Sequence, residues 1–259
     1  ACQVSIAGFV GKDYHGKSLL EKLRARGIDG AGLIPTDRPT TTKLRVIGGH
    51  QQMLRLDFEE SAAVTGKEAE HFLAGIYKKL DEGLDCLIIS DYGKGACTEE
   101  NCQKIIAACK AHHVPVIVDP KGTNWMKYAG ADYITPNLKE INAVLPDPIR
   151  NEDQPVETAA RSVMKKYQLG SLIVTRSEAG LSLICEGEIK HIPTKAQEVF
   201  DVSGAGDTVI AVFAMGIAGG IAPVASAYLA NLAAGVVVAK LGTYAVSREE
   251  LLKALEKEK

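Results

Sequence analysis

The sequence predicts an α/β fold with a mostly parallel central sheet and a small β lid. Three observations carry this. Strand-like and helix-like segments alternate through most of the chain, the order that builds parallel sheets. The strand-like runs are short, continuously apolar and bounded by Gly, Pro or Asp, as in a sheet covered on both faces. Two further runs, joined by Gly48-Gly49-His50, break that rhythm and suit a hairpin.

In chain order, residues 4–10 read as a buried strand and residues 18–26 as a helix. The hairpin follows at 40–47 and 52–58. Alternation in its second arm puts Met53, Arg55 and Asp57 on one face and Leu54, Leu56 and Phe58 on the other. Helical patterns occupy 67–80, 99–111, 138–145 and 157–167. Strand patterns occupy 86–90, 114–119, 133–135 and 171–175. A second hairpin at 181–192 turns on Glu186-Gly187-Glu188. Three helices close the chain at 205–217, 222–240 and 247–257; the first two are rich in Ala and Gly, which allows close packing.

The 259 residues suffice for one substantial core or two small domains. Apolar residues make up 46% and charged residues 24%, with a formal charge of -2. That balance excludes a general nucleic-acid grip. The apolar run at 209–218 is too short to span a bilayer, so no membrane partner is expected. No signal-peptide pattern opens the chain. Six cysteines are scattered without a C-x-x-C pair, which fits a reduced, cytoplasmic setting better than a disulfide scaffold. The first residue is Ala1, not Met, and an apolar strand begins almost at once.

Two stretches could each hold phosphate. Gly11 to Ser18, GKDYHGKS, matches G-x-x-x-x-G-K-[ST] between a strand and a helix, the order of a P-loop. Asp91, after the strand of CLIISD, is then a candidate metal ligand. The competitor is DVSGAGDTV, Asp201 to Val209. Small Gly204, Ala205 and Gly206 lead directly into an apolar helix, whose first amides bind anions. Asp207 would repel a phosphate, so its place there makes sense as a base for an attacking hydroxyl, or as an ordinary helix-start acid.

DVSGAGDTV strongly resembles the C-terminal signature of the ribokinase-like (PfkB) carbohydrate kinases. The resemblance implies a three-layer ribokinase-like sandwich, an anion hole at Gly204, Ala205 and Gly206, and Asp207 as catalytic base. TPNLKE matches the family's N-x-x-E motif, implying that Asn137 and Glu140 organise Mg²⁺ indirectly, through water. VTRSEAG matches the nucleotide-lining loop, implying ATP contacts at Thr175, Ser177 and Gly180; Ser177 stands where the family commonly has Gly. Asn231 matches a residue near the adenine pocket. A monovalent cation is a further cofactor candidate. TTKLRV, QQMLRLDFEE, SDYGKG, VDPKGT and TPNLKE together resemble, more narrowly, the kinase domain of bacterial D-glycero-β-D-manno-heptose 7-phosphate kinases. These serve ADP-heptose and lipopolysaccharide inner-core synthesis and are often fused to an adenylyltransferase.

On this reading residues 1–259 form a single kinase domain, with the lid inserted at 40–58 and the family's N-terminal sugar-binding segment not visible before Ala1. The family's G-x-D-x-x-G turn falls on Gly11 to Gly16, so Lys17 and Ser18 complete the P-loop pattern by coincidence. Asp91 then faces the sugar. The substrate phosphate calls for a cation: Lys43, Arg45 and Arg55 on the hairpin, or Lys94 and Lys121 in the loops, with Lys121 preferred because it follows a strand end. The lid implies a homodimer. The alternatives are a kinase for another sugar or sugar phosphate, a P-loop NTPase using Gly11–Ser18, and an inactive dimerising domain.

Overall fold

The computed structural model describes residues 2–49, 51–195 and 198–258; His50, in the expected turn of the first hairpin, lies outside them. The chain divides into two compact units, Ala1–Gly83 with Gly93–Ile105, and Leu84–Tyr92 with Ile106–Lys259.

The first unit contains β1 (Ser5–Gly11), α1 (Tyr14–Ala25), β2 (Asp29–Thr36), β3 (Thr42–Gly48), β4 (Gln51–Phe58), α2 (Gly66–Glu82) and the start of α3 (Glu99–Ala111). β1 and β2 pair in parallel. β2 is absent from the sequence expectation because Gly30, Gly32 and Pro35 read as loop. Helix α2 covers the pair. Its buried residues Ala69, Phe72, Leu73, Ile76 and Leu80 recur at helical spacing, and Phe72 meets Phe9 of β1 with ring centroids 5.2 Å apart.

β3 and β4 form a separate antiparallel hairpin. Register puts Thr42, Leu44 and Val46 opposite Phe58, Leu56 and Leu54, and Lys43 and Arg45 opposite Asp57 and Arg55. The two faces therefore differ as the alternation requires. Leu44, Val46, Leu54, Leu56 and Phe58 all stay 40–53% exposed, so the apolar face is open.

The P-loop reading fails on local geometry. Helix α1 starts at Tyr14, not at residue 18, leaving only Lys12 and Asp13 between it and β1. A phosphate-wrapping loop has no chain to form from. Asp13 caps the helix: its Oδ1 accepts from the Gly16 amide at 2.8 Å, and its Oδ2 from the Thr40 amide at 2.8 Å. The Thr40 hydroxyl bonds Asp13 Oδ1 and accepts from the Gly11 amide. A side-chain carboxylate thus takes the place an anion would fill. A Cβ on Gly16 would lie 2.2 Å from the Gly11 carbonyl oxygen, so glycine is needed there for packing. Lys17 is exposed.

The second unit holds a six-stranded sheet in the order β10-β9-β8-β7-β6-β5. β5 (Leu87–Ser90), β6 (Val116–Asp119), β7 (Tyr133–Ile134) and β8 (Ser171–Thr175) run parallel. β9 (Leu181–Cys185) and β10 (Glu188–Ile192) add an antiparallel edge. α6 (Ala205–Ala218) and α7 (Pro223–Val238) pack on one face, where Ile117, Ile173, Leu181 and Leu183 meet Val209, Phe213, Ala227 and Ala230. Leu172 and Val174 flank Ile173 and are fully buried, so they point to the other face. Helix α5 (Asp153–Tyr167) contacts β8 and β9 and supplies the third layer. It starts four residues before the expected 157, because Pro155 fits a first helical turn. α4 (Leu138–Val144) and α8 (Arg248–Glu256) complete the unit.

Hydrogen bonds, chiefly from the Thr40 and Gly16 amides, lower the Asp13 pKa to about 2 from an ordinary 3.8. A depressed carboxylate adds stability above its unfolded pKa and loses it as pH falls through the folded value. We predict that Asp13→Asn lowers the melting temperature at pH 5–8, and that the gap from wild type narrows below about pH 4. A gap that is constant down to pH 2.5 would contradict this role.

Candidate active site

The chemistry of the second unit gathers where its parallel strands end, the usual ligand edge of an open α/β sheet. β5 runs into Asp91 and Tyr92, β6 ends on Asp119, and β8 ends on Thr175. The chain after β7 reaches Asn137, which bridges to Thr175.

Asp207 lies in the first turn of α6, behind Gly204, which caps the helix in a left-handed conformation (φ 83°). The amides of Gly206 and Asp207 are too close to the helix start for intrahelical partners. The Ala205 amide donates to the Val202 carbonyl at 3.2 Å, so it is partly engaged. The preceding loop is tied down by Asp201, whose carboxylate accepts from the amides of Ser203 (2.8 Å) and Gly242 (3.1 Å). The Tyr92 hydroxyl donates to Asp207 Oδ1 at 2.9 Å.

Asn137 and Glu140 form a reciprocal capping box on α4. Asn137 Oδ1 accepts from the Glu140 amide (2.9 Å), and Glu140 Oε2 accepts from the Asn137 amide (3.0 Å). The other Glu140 oxygen lies 3.7 Å from Lys121 Nζ. The N-x-x-E motif therefore has a structural task of its own, and one carboxylate oxygen remains for other work.

Asp119 is the acid that sequence reading did not single out, although VDPKGT contains it. Burial raises its pKa to about 7, reinforced by the charges of Glu140, Asp207 and Asp91 and opposed by Lys121. Three other carboxylates thus act on Asp119 here. Among the described residues no three His, Cys, Asp or Glu side chains converge to hold a metal directly. The surplus of negative charge nevertheless suits a divalent cation carried in with phosphates and held through water.

Asp91 is buried (4% exposed), and its Oδ2 is engaged by Lys127 and by the Tyr128 hydroxyl at 2.6 Å. Tyr128 OH also accepts from the Lys121 amide at 3.0 Å. Asp91 therefore sits in an ion-paired network through Oδ2. Lys127 and Tyr128 lie in a 3-10 turn, Trp125–Tyr128, which carries no motif by which the sequence could mark them. Lys121 is half-exposed and only loosely paired.

The expected nucleotide loop follows β8. Ser177 adopts φ +51° and Gly180 φ +80°, so Ser177 holds the left-handed conformation that explains the family's glycine. A Cβ on Gly180 would lie 2.1 Å from the Ile192 carbonyl oxygen. Buried Arg176 anchors the loop, donating to Asn151, Asp153 and Ser182. Asn231 on α7 is buried and donates to the Pro193 carbonyl at 2.7 Å, which commits its amide nitrogen to the scaffold.

Lys43, Arg45, Arg55 and Lys94 belong to the first unit. Lys43 and Lys94 both bond Glu59, at 2.8 and 2.6 Å, and these bonds lower the Glu59 pKa to about 2. Arg55 pairs with Asp57 at 3.0 Å. Arg45 has no carboxylate partner among the described residues and faces Arg55 across the hairpin, an unfavourable like-charge pair.

Comparison with known proteins gives these features a family. The model of the pfkB family of carbohydrate kinases matches residues 1–250. The bifunctional protein HldE of Trichlorobacter lovleyi is 41% identical over 259 residues, covering 99% of this chain and 52% of that protein. The chain thus spans about half the length of that relative. Arabidopsis thaliana ribokinase, solved with ribose and ATP, superposes with a TM-score of 0.78 at 19% identity, covering 98% of this chain and 82% of that one. Escherichia coli phosphofructokinase-2, solved with potassium, superposes with a TM-score of 0.82 at 15% identity, with the same coverages. At these identities the two structures establish the fold.

Two stability measurements test the site. Ser177→Gly is predicted to raise stability by about 0.5–1 kcal/mol by relieving the left-handed serine, read as a higher urea midpoint at unchanged m; a lower midpoint would refute the strain. Asp119 has a raised folded pKa, so its ionisation opposes folding increasingly between about pH 4 and pH 7. Asp119→Asn should therefore melt above wild type at pH 8 without nucleotide, with the difference shrinking toward pH 4. An equal difference at both pH values would show that the carboxylate's charge is not the cause.

Proposed function

The chain belongs to the pfkB family of carbohydrate kinases, and from that we propose that it transfers the γ-phosphoryl group of ATP to O1 of D-glycero-β-D-manno-heptose 7-phosphate. The product is the 1,7-bisphosphate, for ADP-heptose and lipopolysaccharide inner-core synthesis. The observation that carries the proposal is Asp207, a carboxylate in the first turn of a helix that starts on Gly204, Ala205 and Gly206. A base and an anion hole in one turn suit hydroxyl-to-phosphoryl transfer. The heptose assignment rests on SDYGKG, VDPKGT, TPNLKE and the hairpin motifs, and on the 41% identity to HldE across nearly the whole chain.

Asp207 takes the proton from the anomeric hydroxyl as that oxygen attacks the γ-phosphorus. The amides around Gly204–Gly206 hold the charge that grows on the transferring group. Asn137, Glu140 and Asp119 would hold, through water, an Mg²⁺ carried by ATP, which would offset phosphate charge when bound. Thr175, Ser177 and Gly180 line the nucleotide side, with Asn231 fixing the neighbouring backbone. Asp91 orders the sugar side through Lys127 and Tyr128. Lys121 remains the favoured partner for the substrate phosphate, and Arg45 is the hairpin cation most available for one. A monovalent cation is an added requirement to test, given the potassium bound by phosphofructokinase-2 of E. coli.

The same reading treats residues 1–259 as one ribokinase-like domain whose hairpin pairs with a second copy. The open apolar face of β3 and β4 supports that pairing, since such faces ordinarily need cover. A cytoplasmic location accords with ATP as donor. No described helix is long and apolar enough to cross a membrane.

The test is ADP release by the full-length protein with ATP, Mg²⁺ and the heptose 7-phosphate. Asp207→Asn should lower kcat by roughly 10²- to 10⁴-fold, while Lys17→Ala stays near wild type. Retained turnover in Asp207→Asn, or its loss in Lys17→Ala, would overturn the proposal. A ribose or fructose 6-phosphate turnover exceeding that of the heptose would reassign the substrate within the family.

A further inference from the structure

Tyr92 lies within SDYGKG, but packing does not explain it and the proposed chemistry gives it no role. It follows β5 directly, and Gly93 after it turns the chain away with φ 66°. Its side chain is no core element, because the residue is 57% exposed. A large aromatic left this open is usually held by something other than burial. Here its hydroxyl donates to Asp207 Oδ1 at 2.9 Å, across 115 residues of chain. Burial of the hydroxyl end, together with that hydrogen bond, raises the phenol pKa to about 12. The phenol therefore stays neutral and remains a donor throughout the working pH range.

A carboxylate has two oxygens and turns about its Cβ–Cγ bond. Asp207 acts electrostatically on Asp119, which also feels Glu140, Asp91 and Lys121. Those charges alone do not fix which Asp207 oxygen meets the substrate. The phenol-to-carboxylate bond does, because it engages Oδ1 and leaves Oδ2 turned to the other side with its lone pairs available.

We infer that Tyr92 is a positioning residue for the phosphoryl transfer, its hydroxyl holding Oδ1 of Asp207 so that Oδ2 is the oxygen that takes the proton. The inference rests on the proposed role of Asp207 as base. In the step, the proton leaves the sugar O1 for Asp207 Oδ2 as the O1–P bond forms. The bond between the γ-phosphorus and the β–γ bridging oxygen breaks, and its electron pair leaves with ADP. The phenol gains and loses nothing; it acts by orientation.

The experiment compares full-length wild type, Tyr92→Phe, Asp207→Asn and the double variant, with kcat and both KM values measured for each. Phenylalanine keeps the ring and removes only the donor. Tyr92→Phe is expected to lose roughly 10- to 100-fold in kcat, the range for one hydrogen bond to a charged group, with both KM values within about twofold. The double variant should be no slower than Asp207→Asn alone, because the two residues act as one unit. An unchanged kcat with a raised sugar KM would make Tyr92 a sugar contact and overturn the inference. So would an unchanged kcat and KM, or additive losses in the double variant. Activity surviving in Asp207→Asn would instead defeat the assignment of the base. The melting temperature of Tyr92→Phe, expected within about 2 °C of wild type for a half-open residue, separates positioning from misfolding; a low kcat accompanied by a large drop in melting temperature would also overturn the inference.

Discussion

The second unit is organised around a crowd of carboxylates that folding alone would not choose. Burial, reinforced by the charges of Glu140, Asp207 and Asp91, brings the Asp119 pKa to about 7. Like charges gathered where water is partly excluded oppose folding. The surrounding structure answers each differently: Asp91 is ion-paired with Lys127, Glu140 caps a helix, Asp207 benefits from a helix start, and Asp119 retains the repulsion. Parallel strands ending together make such crowding possible: β5 and β6 deliver Asp91 and Asp119, and the first turns of α4 and α6 add Glu140 and Asp207. A polyphosphate with its cation is the kind of ligand that turns this disadvantage into affinity.

Much of this arrangement was legible in the chain. The short apolar runs of the second unit are strands, and the one at 171–175 and the helix at 99–111 fall where their patterns end. Asp207, Asn137 and Glu140 were readable because each belongs to a compact motif. β2 was not, since Gly30, Gly32 and Pro35 hide a strand whose hydrogen bonds come from β1 rather than from local preference. Lys127, Tyr128 and the burial of Asp91 were equally hidden: their meaning lies in a contact spanning 36 or 37 residues, and nothing in NWMKY announces it. Asp119 was visible as a letter, but its altered acidity arises from burial at the strand end and from charges brought in by other segments.

The two phosphate motifs show why pattern and context diverge. Gly11–Ser18 satisfies a well-known template, yet the decisive residue is Asp13, at a position the template leaves free. A carboxylate there supplies internally the negative charge that a nucleotide would bring, and the helix begins early because of it. At Gly204–Asp207 the acid stands three residues into the turn instead. Of the amides at that helix start, Ala205 is partly engaged by the Val202 carbonyl, and those of Gly206 and Asp207 are left for an outside anion. Moving one aspartate relative to a helix start separates a closed cap from an open cradle.

The capping box at Asn137 and Glu140 makes α4 a gauge of occupancy. One oxygen of Glu140 closes the first turn of a helix only seven residues long, and the other lies 3.7 Å from Lys121 Nζ. A ligand that draws the side chain toward the cluster acts on the same group that keeps the helix from fraying. Loading at the strand ends and amide protection in Leu138–Val144 are therefore linked quantities, and the short helix reports, through its own persistence, what lies beside it.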